Sequence, residues 1–349
     1  MMGKKKYRVG IIGLGRIGCL LEDDPLRAKP ASHAGAFAAC RRTEIVAGAD
    51  TDPDRLEKFG KRWRIRKLYR DHRRMLENER LDIVSVAAWT EAHAKIVTDA
   101  AKAGVKGIYC EKPIAVNLAQ AKKMIRACER NGVAMVVGHE RRWDPRFRKI
   151  RELLSAGEFG GLRSMTGYTL SGPPPKLPRK RYGGGPMFHD GTHLVDLFRF
   201  FAGDAVSVAG MEDRPFGANY IENTALGVVT FENGARGFVM GGGERDYFHF
   251  ELDIHTDKAR IVLGNHTAEL YVAGPSERFS GFRELHRVPF PEHEAKANPF
   301  VEGVEDLIRE IETGVKSISS GHDGYKALEM IEALYRSAGN GKAPVRLPL

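Results

Sequence analysis

Cysteine is scarce in this chain. The four in 349 residues, Cys19, Cys40, Cys110 and Cys128, form no CxxC pair and no metal-ligand spacing. That excludes a cysteine zinc site and a disulfide framework, and it is the usage expected of a reduced intracellular compartment, hence of a cytoplasmic protein. Long apolar runs are also missing: no stretch of about 18 residues is apolar enough to predict a transmembrane helix. The opening MMGKKKYRVGIIGLGRIG has a basic and then an apolar texture. Arg16 and the glycines at 13, 15 and 18 break the apolar part, however, and no small-residue cleavage site follows, so it does not read as a signal peptide. Internal repeats and low-complexity tails are absent.

What is present is ordinary for a globular protein: 42% hydrophobic and 29% charged residues, in a length that suits about two domains. The net charge of +10 raises the question of nucleic acid, and the densest basic run, KRWRIRKLYRDHRR at 61–74, interleaves Trp63 and Tyr69. It reads more plainly as a solvated helix end, a short strand and the next helix start. No nucleic-acid or membrane partner is therefore expected, and the excess charge serves to draw in an anionic cofactor or substrate.

The first 140 residues alternate short apolar runs with helical patterns, the signature of a parallel α/β sheet. Runs at 7–12, 44–50, 81–88, 107–110 and 133–138 predict strands. Asp52 before Pro53 predicts a helix start, and Asn117 another running to about Asn131. The texture changes after residue 145. A helix over 145–156 and a strand near 161–170 precede the Pro- and Gly-rich loop SGPPPKLPRKRYGGGP and a helix beginning near Pro186. Alternating β-branched and aromatic runs over 205–272 predict an antiparallel sheet, and helices over 299–313 and 322–339 close the chain. The expected division is a dinucleotide-binding domain over 1–140 and an α+β domain over 141–349, with the last helices free to pack back on the first.

Two places carry chemistry. Gly13-Leu14-Gly15-Arg16-Ile17-Gly18 directly follows the strand YRVGII and precedes a helical pattern, the context in which GxGxxG approaches a pyrophosphate through backbone amides. The acid for the adenosine ribose should end the second strand, where Asp50 stands. It lies 32 residues beyond Gly18, with LEDDPLRAKPAS accounting for the excess as an insertion. A carboxylate there repels a 2′-phosphate and favours NAD, while Arg41 and Arg55 nearby leave NADP use open. The second place is GPMFHDGTHLVD, 185–196, where His189, Asp190, His193 and Asp196 sit among apolar neighbours. Oxidising an alcohol needs a base titrating near neutrality at the hydroxyl and a cation for the developing alkoxide. His193 supplies the first and Lys112, in Glu111-Lys112-Pro113 at the end of the strand GIYC, the second. His189 and His193 at i and i+4 would share a helical face, and HxxxH with an acid could also hold a metal, but no third ligand stands at a convincing spacing.

Taken together, VGIIGLGRIG, DIVSVAAWTEAHAKI, EKPIAVNLAQA, ERRWDPRFRKIRELLSAGEFGGLRS and GGGPMFHDGTHLVDLFRFFAG make the chain resemble the glucose–fructose oxidoreductase / inositol dehydrogenase (Gfo/Idh/MocA) family end to end. The resemblance implies a Rossmann doubly wound parallel sheet followed by a domain on a large open, mostly antiparallel sheet. It implies a dehydrogenase or reductase of sugars and cyclitols using NAD or NADP, paired as a homodimer or homotetramer through the second-domain sheet. Carried over by position, Lys112 matches the lysine that binds the reacting oxygen, His193 the general acid/base, and Asp196 its acidic neighbour. Relatives usually carry aspartate where this chain has His189, so either His189 or Asp190 replaces it. Trp89, His93 and Glu111 are expected to border the cofactor, and Arg142 and Tyr182 the substrate. Two other readings of such a chain are an NAD-recycling enzyme that cleaves glycosides through transient C3 oxidation and a non-catalytic NAD-binding sensor.

Overall fold

The computed structural model describes residues 6–293 and 298–349, so the first five residues of the basic opening lie outside it. The chain divides into two compact units. The first holds the described residues up to Trp143 and those from Asn298 to Tyr325, and the second those from Asp144 to His293 and from Lys326 to Leu349.

Six strands build the first unit: β1 (Tyr7–Ile12), β2 (Thr43–Ala49), β3 (Leu68–Tyr69), β4 (Ile83–Val86), β5 (Gly107–Cys110) and β6 (Ala134–Val137). All pair in parallel, in the order β3-β2-β1-β4-β5-β6. Strands β4, β5 and β6 are buried at every residue, which is why they read as unbroken apolar runs rather than alternating ones. The order reverses between β1 and β4, and the crevice beyond the carboxyl ends of such strands is where ligands sit. Helices Pro53–Trp63 and Leu118–Arg130 start where their caps dictate. Asp52 accepts from the amides of Asp54 and Arg55, and Asn117 from that of Gln120. The helix Pro299–Thr313 returns to this unit, placing Val304, Leu307 and Ile308 in one buried cluster with Val9, Ile11 and Phe37.

One expectation fails here. No helix continues directly from the glycine motif; a single 3₁₀ turn, Leu20–Asp23, follows, and the helix itself is His33–Ala39. The reason is visible in the hydrogen bonds. The carbonyls of Ile17 and Gly18 accept from the amides of His33 and Ala34, each at 2.9 Å. In an unbroken helix the partner is four residues on; here it is sixteen on, so twelve residues are looped out and the helix resumes. Removing those twelve reduces the 32 residues between Gly18 and Asp50 to 20, the spacing of about twenty usual for the ribose-binding acid. Glu22 closes the loop, accepting from the Ala31 amide at 2.7 Å and the Ser32 hydroxyl at 2.8 Å, while Ser32 caps the resumed helix.

The basic run at 61–74 forms a helix end, strand β3 and the start of the helix His72–Asn78. Its charges are largely paired: Lys61 with Glu57, Arg62 with Asp23, Lys67 with Glu79, Arg73 with Asp71 and Arg74 with Glu77. Paired cations make a poor phosphate-binding stripe.

The second unit is a nine-stranded sheet of β7 (Leu162–Leu170), β8 (Ala205–Asp213), β9 (Thr224–Phe231), β10 (Arg236–Gly242), β11 (His249–Thr256), β12 (Ala259–Gly264), β13 (Ala268–Pro275), β14 (Arg283–Val288) and β15 (Val345–Arg346). The order is β14-β13-β12-β11-β7-β10-β9-β8-β15, antiparallel throughout except that β10 runs parallel to β7. The helix Gly191–Ala202 lies against the middle of one face, where Gly167 and Gly237 leave room for Leu194 and Phe198.

Because Leu307 is fully buried among the first unit's strands and helices, Leu307→Ala should destabilise that unit by about 2–5 kcal/mol, the range for a core leucine. Equilibrium denaturation measures the loss, and a change below about 1 kcal/mol would show that the returning helix is not part of that core.

Candidate active site

The glycine motif shows three different spatial constraints. Gly13 has φ +88°, and a Cβ on it would overlap the Ala88 amide; a Cβ on Gly18 would overlap the carbonyl oxygen of Gly13. At Gly15 the nearest atom to such a Cβ is the Arg55 guanidinium, 3.6 Å away. The outer two glycines are thus required by the chain's own backbone, while the middle one faces space that a ligand backbone contact would use. Arg16 and Ile17, also expected in this turn, accept through their carbonyls from Leu21 and His33.

Asp50 follows β2 and is nearly buried. One carboxylate oxygen accepts from the Leu14 amide at 2.7 Å, the other from the Asp52 amide at 2.9 Å, and an Arg55 nitrogen lies 3.8 Å away. The carboxylate is therefore fixed against the glycine turn. Glycines and acid together fit the diphosphate and ribose of NAD.

At the end of β5 the sequence EKP is braced on both sides of Lys112. Glu111 is buried and its carboxylate lies 3.0 Å from His33 Nε2, while His33 Nδ1 lies 2.7 Å from Ser85 Oγ. A carboxylate only accepts, so Nε2 donates, and in the neutral ring the Ser85 hydroxyl donates to Nδ1. Burial pushes the Glu111 carboxyl up. The His33 hydrogen bond and the charges of His33, Lys112 and His93 together bring it below the ordinary carboxylate range. On the other side, His93 Nδ1 lies 3.1 Å from the Pro113 carbonyl and 3.2 Å from that of Ile114, and Nε2 3.0 Å from that of Ala88. Burial lowers its pKa.

These contacts correct two expectations. His93 is fully buried with both ring nitrogens facing main-chain carbonyls, so it ties the segment after β4 to that after β5 rather than bordering a cofactor. Arg142, expected at the substrate, is buried with a guanidinium nitrogen 3.2 Å from Asp323 and on the Ile318 carbonyl. It is a structural strut. Trp89, by contrast, stands well exposed at the start of the helix Thr90–Lys102. Glu140, just beyond β6, is a carboxyl that burial pushes upward against the pull of Arg141 and Lys112.

In the second unit the motif GPMFHDGTHLVD is not one helix. A short helix, Pro186–His189, ends at Asp190, and a second, Gly191–Ala202, begins. The His193 amide donates to the Asp190 carbonyl at 3.1 Å, a tighter three-residue turn, so the shared face expected of His189 and His193 at i and i+4 is interrupted. His193 and Asp196 are buried; His189 and Asp190 are half-buried. Tyr182 ends a single helical turn, Arg179–Tyr182, in the Pro-rich loop. That loop is pinned to the 219–221 stretch by the Arg179 amide on Asn219 and the Ile221 amide on Leu177.

Sequence reasoning missed His33, Ser85, Glu140 and the buried pair Glu222 and Tyr335. His33 and Glu111 are 78 residues apart, so no local pattern links them. Among the described residues no group of three or more His, Cys, Asp or Glu side chains could hold a metal, and all four cysteines are free and buried. No described helix is long and apolar enough to cross a membrane.

Residues 7–139 match the description "Oxidoreductase family, NAD-binding Rossmann fold", and residues 147–262 the "GFO/IDH/MocA C-terminal domain". The chain belongs to the Gfo/Idh/MocA family. Among curated members, it is 31% identical to a D-apiose dehydrogenase of Paraburkholderia graminis, over 89% of this chain and 85% of that one. It is 27% identical to a myo-inositol 2-dehydrogenase of Thermotoga maritima, over 92% and 93%. Its fold is that of a levoglucosan dehydrogenase solved with NADH and L-sorbose, with a TM-score of 0.83, 21% identity and coverage of 98% and 99%. As a Gfo/Idh/MocA member the chain is an NAD-binding oxidoreductase.

The glycine geometry separates two substitutions. Gly15→Ala should leave the thermal midpoint nearly unchanged yet weaken NADH binding by about tenfold or more, roughly 1.4 kcal/mol. Gly18→Ala should instead cost about 1–3 kcal/mol of stability through overpacking. Thermal unfolding and a nucleotide fluorescence titration read both; equal effects on stability would refute the assignment of Gly15 to the ligand.

Proposed function

We propose that the protein transfers a hydride between NAD and a secondary alcohol or ketone of a sugar, sugar derivative or cyclitol. The observation that carries this reading is Lys112, set after β5 in the crevice edge of the parallel sheet and braced on both flanks by buried histidines. Similarity to dehydrogenases named for myo-inositol and D-apiose supports a polyhydroxylated substrate. NAD, when bound, supplies the hydride acceptor. Lys112 binds the reacting oxygen and stabilises its developing negative charge, and His193 takes the hydroxyl proton. Half-buried His189 and Asp190 flank the helix break and orient His193, with His189 and Tyr182 contacting substrate. The fixed Asp50 carboxylate favours NAD, and Arg55 beside it moderates the repulsion of a 2′-phosphate enough for weaker NADP use.

We also propose that the chain pairs with a second copy through the solvent face of the large sheet. Tyr168, Phe238, Val228 and Met211 are all at least a third exposed and occupy four adjacent strands on one face; Phe238 stands directly opposite Val228. Contiguous exposed apolar side chains of this kind mark interfaces.

Lys112→Ala should still bind NADH while losing turnover by about a hundredfold or more. His193→Ala should lose most of kcat and the limb of the pH profile near neutrality, whereas His189→Ala keeps that limb. A screen of sugars and cyclitols followed by NADH absorbance provides the substrate, and near-normal turnover of the Lys112 variant would remove it from the site. For the interface, Phe238→Glu should lower the mass measured by light scattering; an unchanged assembly would place the interface elsewhere.

A further inference from the structure

Glu222 is fully buried immediately before β9, and no role in the proposed chemistry uses it. Its carboxylate collects three donors. One oxygen accepts from the Gly185 amide at 2.7 Å; the other accepts from the Met187 amide at 3.1 Å and from the Tyr335 hydroxyl at 2.8 Å. Pro186, between the two amides, has no N–H to offer, so Glu222 satisfies the first two main-chain donors at the start of the helix Pro186–His189. Gly185 stands at the N-cap and has no side chain with which to do this locally. The approach is close enough that a Cβ on Gly185 would overlap the Glu222 main-chain oxygen. Tyr335, the third partner, is itself buried in the helix Gly321–Gly339 beneath the Arg179 guanidinium, 4.4 Å from its ring. A carboxylate contributed from 37 residues away thus caps the short helix that ends at His189 and leads through Asp190 into the helix bearing His193.

We propose that Glu222 is a positioning residue for the reaction, setting the path of the chain from Gly185 so that His193 presents its ring to the substrate hydroxyl. This rests on the reading of His193 as the base. The physical reason is leverage: the helix break at Asp190 leaves Pro186–His189 with only four residues and no side-chain cap of its own. Its direction is held by the long-range carboxylate. A catalytic group displaced by about 1 Å loses on the order of a hundredfold in rate, so the anchor matters to kcat well before it matters to substrate affinity.

The test is a double-mutant cycle in the full-length protein, with steady-state kinetics on the best sugar or cyclitol from the screen and NADH titration of each variant. Glu222→Ala should lower kcat by about ten- to a hundredfold with NADH affinity unchanged within about twofold. In a His193→Ala background the same change should lower the residual kcat by less than about threefold, because the group it positions is already gone. Glu222→Gln, which keeps an acceptor for one amide, should recover part of the loss. Should Glu222→Ala not fold, Tyr335→Phe removes one of the three donors and carries the same cycle with a smaller first effect. If the losses multiply in the double variant, or Glu222→Ala keeps the wild-type kcat, the positioning role is overturned while the assignment of His193 stands. If His193→Ala alone keeps the wild-type kcat, the base assignment fails, and the role proposed for Glu222 falls with it.

Discussion

Much of the first unit is arranged around one buried charge. Placing the Glu111 carboxylate at the end of β5 removes it from water, which is tolerable only if it is paired and hydrogen-bonded. His33 meets that demand, and Ser85 on β4 in turn holds His33. The requirement reaches back to the glycine motif, because His33 opens the helix that resumes from Gly18 after twelve residues have been looped out. An insertion at that point is tolerated because the helix register is restored on its far side. Had the register slipped by one residue, His33 would have rotated about 100° away from Glu111.

The same logic recurs with different residues in the second unit. There a buried carboxylate, Glu222, meets main-chain amides rather than a histidine, and burial pushes its carboxyl up while the Gly185 amide and the Tyr335 hydroxyl pull it back. Lys112 lies on the irregular segment after β5, and His193 in the first turn of the helix Gly191–Ala202 just past the break at Asp190; a buried polar group from elsewhere in the chain braces the irregular stretch beside each. Irregular segments permit side-chain placements that a continuous helix or strand cannot offer, and the bracing supplies the rigidity those segments lack. His93 holds the main chain just after Lys112 through the carbonyls of Pro113 and Ile114 and ties it to that of Ala88, leaving the lysine side chain between two anchored neighbours.

Charge is distributed in keeping with this. In the densest basic run, 61–74, five of the eight lysines and arginines form ion pairs with acidic side chains. Exposed pairs of this sort add little stability each.

The sequence by itself determined the parts whose causes are local. Strands 7–12 and 107–110, the helix caps at Asp52 and Asn117 and the glycine turn with its acid all follow from side-chain period, caps and backbone freedom within a few residues. Lys112 and His193, the positions proposed to carry the chemistry, stood out in the sequence as residue types in a motif. Only the tertiary structure decided what depends on partners distant in sequence. It withdrew His93 and Arg142 from the site by burying them against carbonyls and Asp323, and it broke the histidine helix at Asp190. It also joined His33 to Glu111, and Glu222 to Gly185. A hydrogen bond between residues 78 or 37 positions apart leaves no periodicity in the chain; it exists only once sheet order and helix register have brought the two groups within 3 Å.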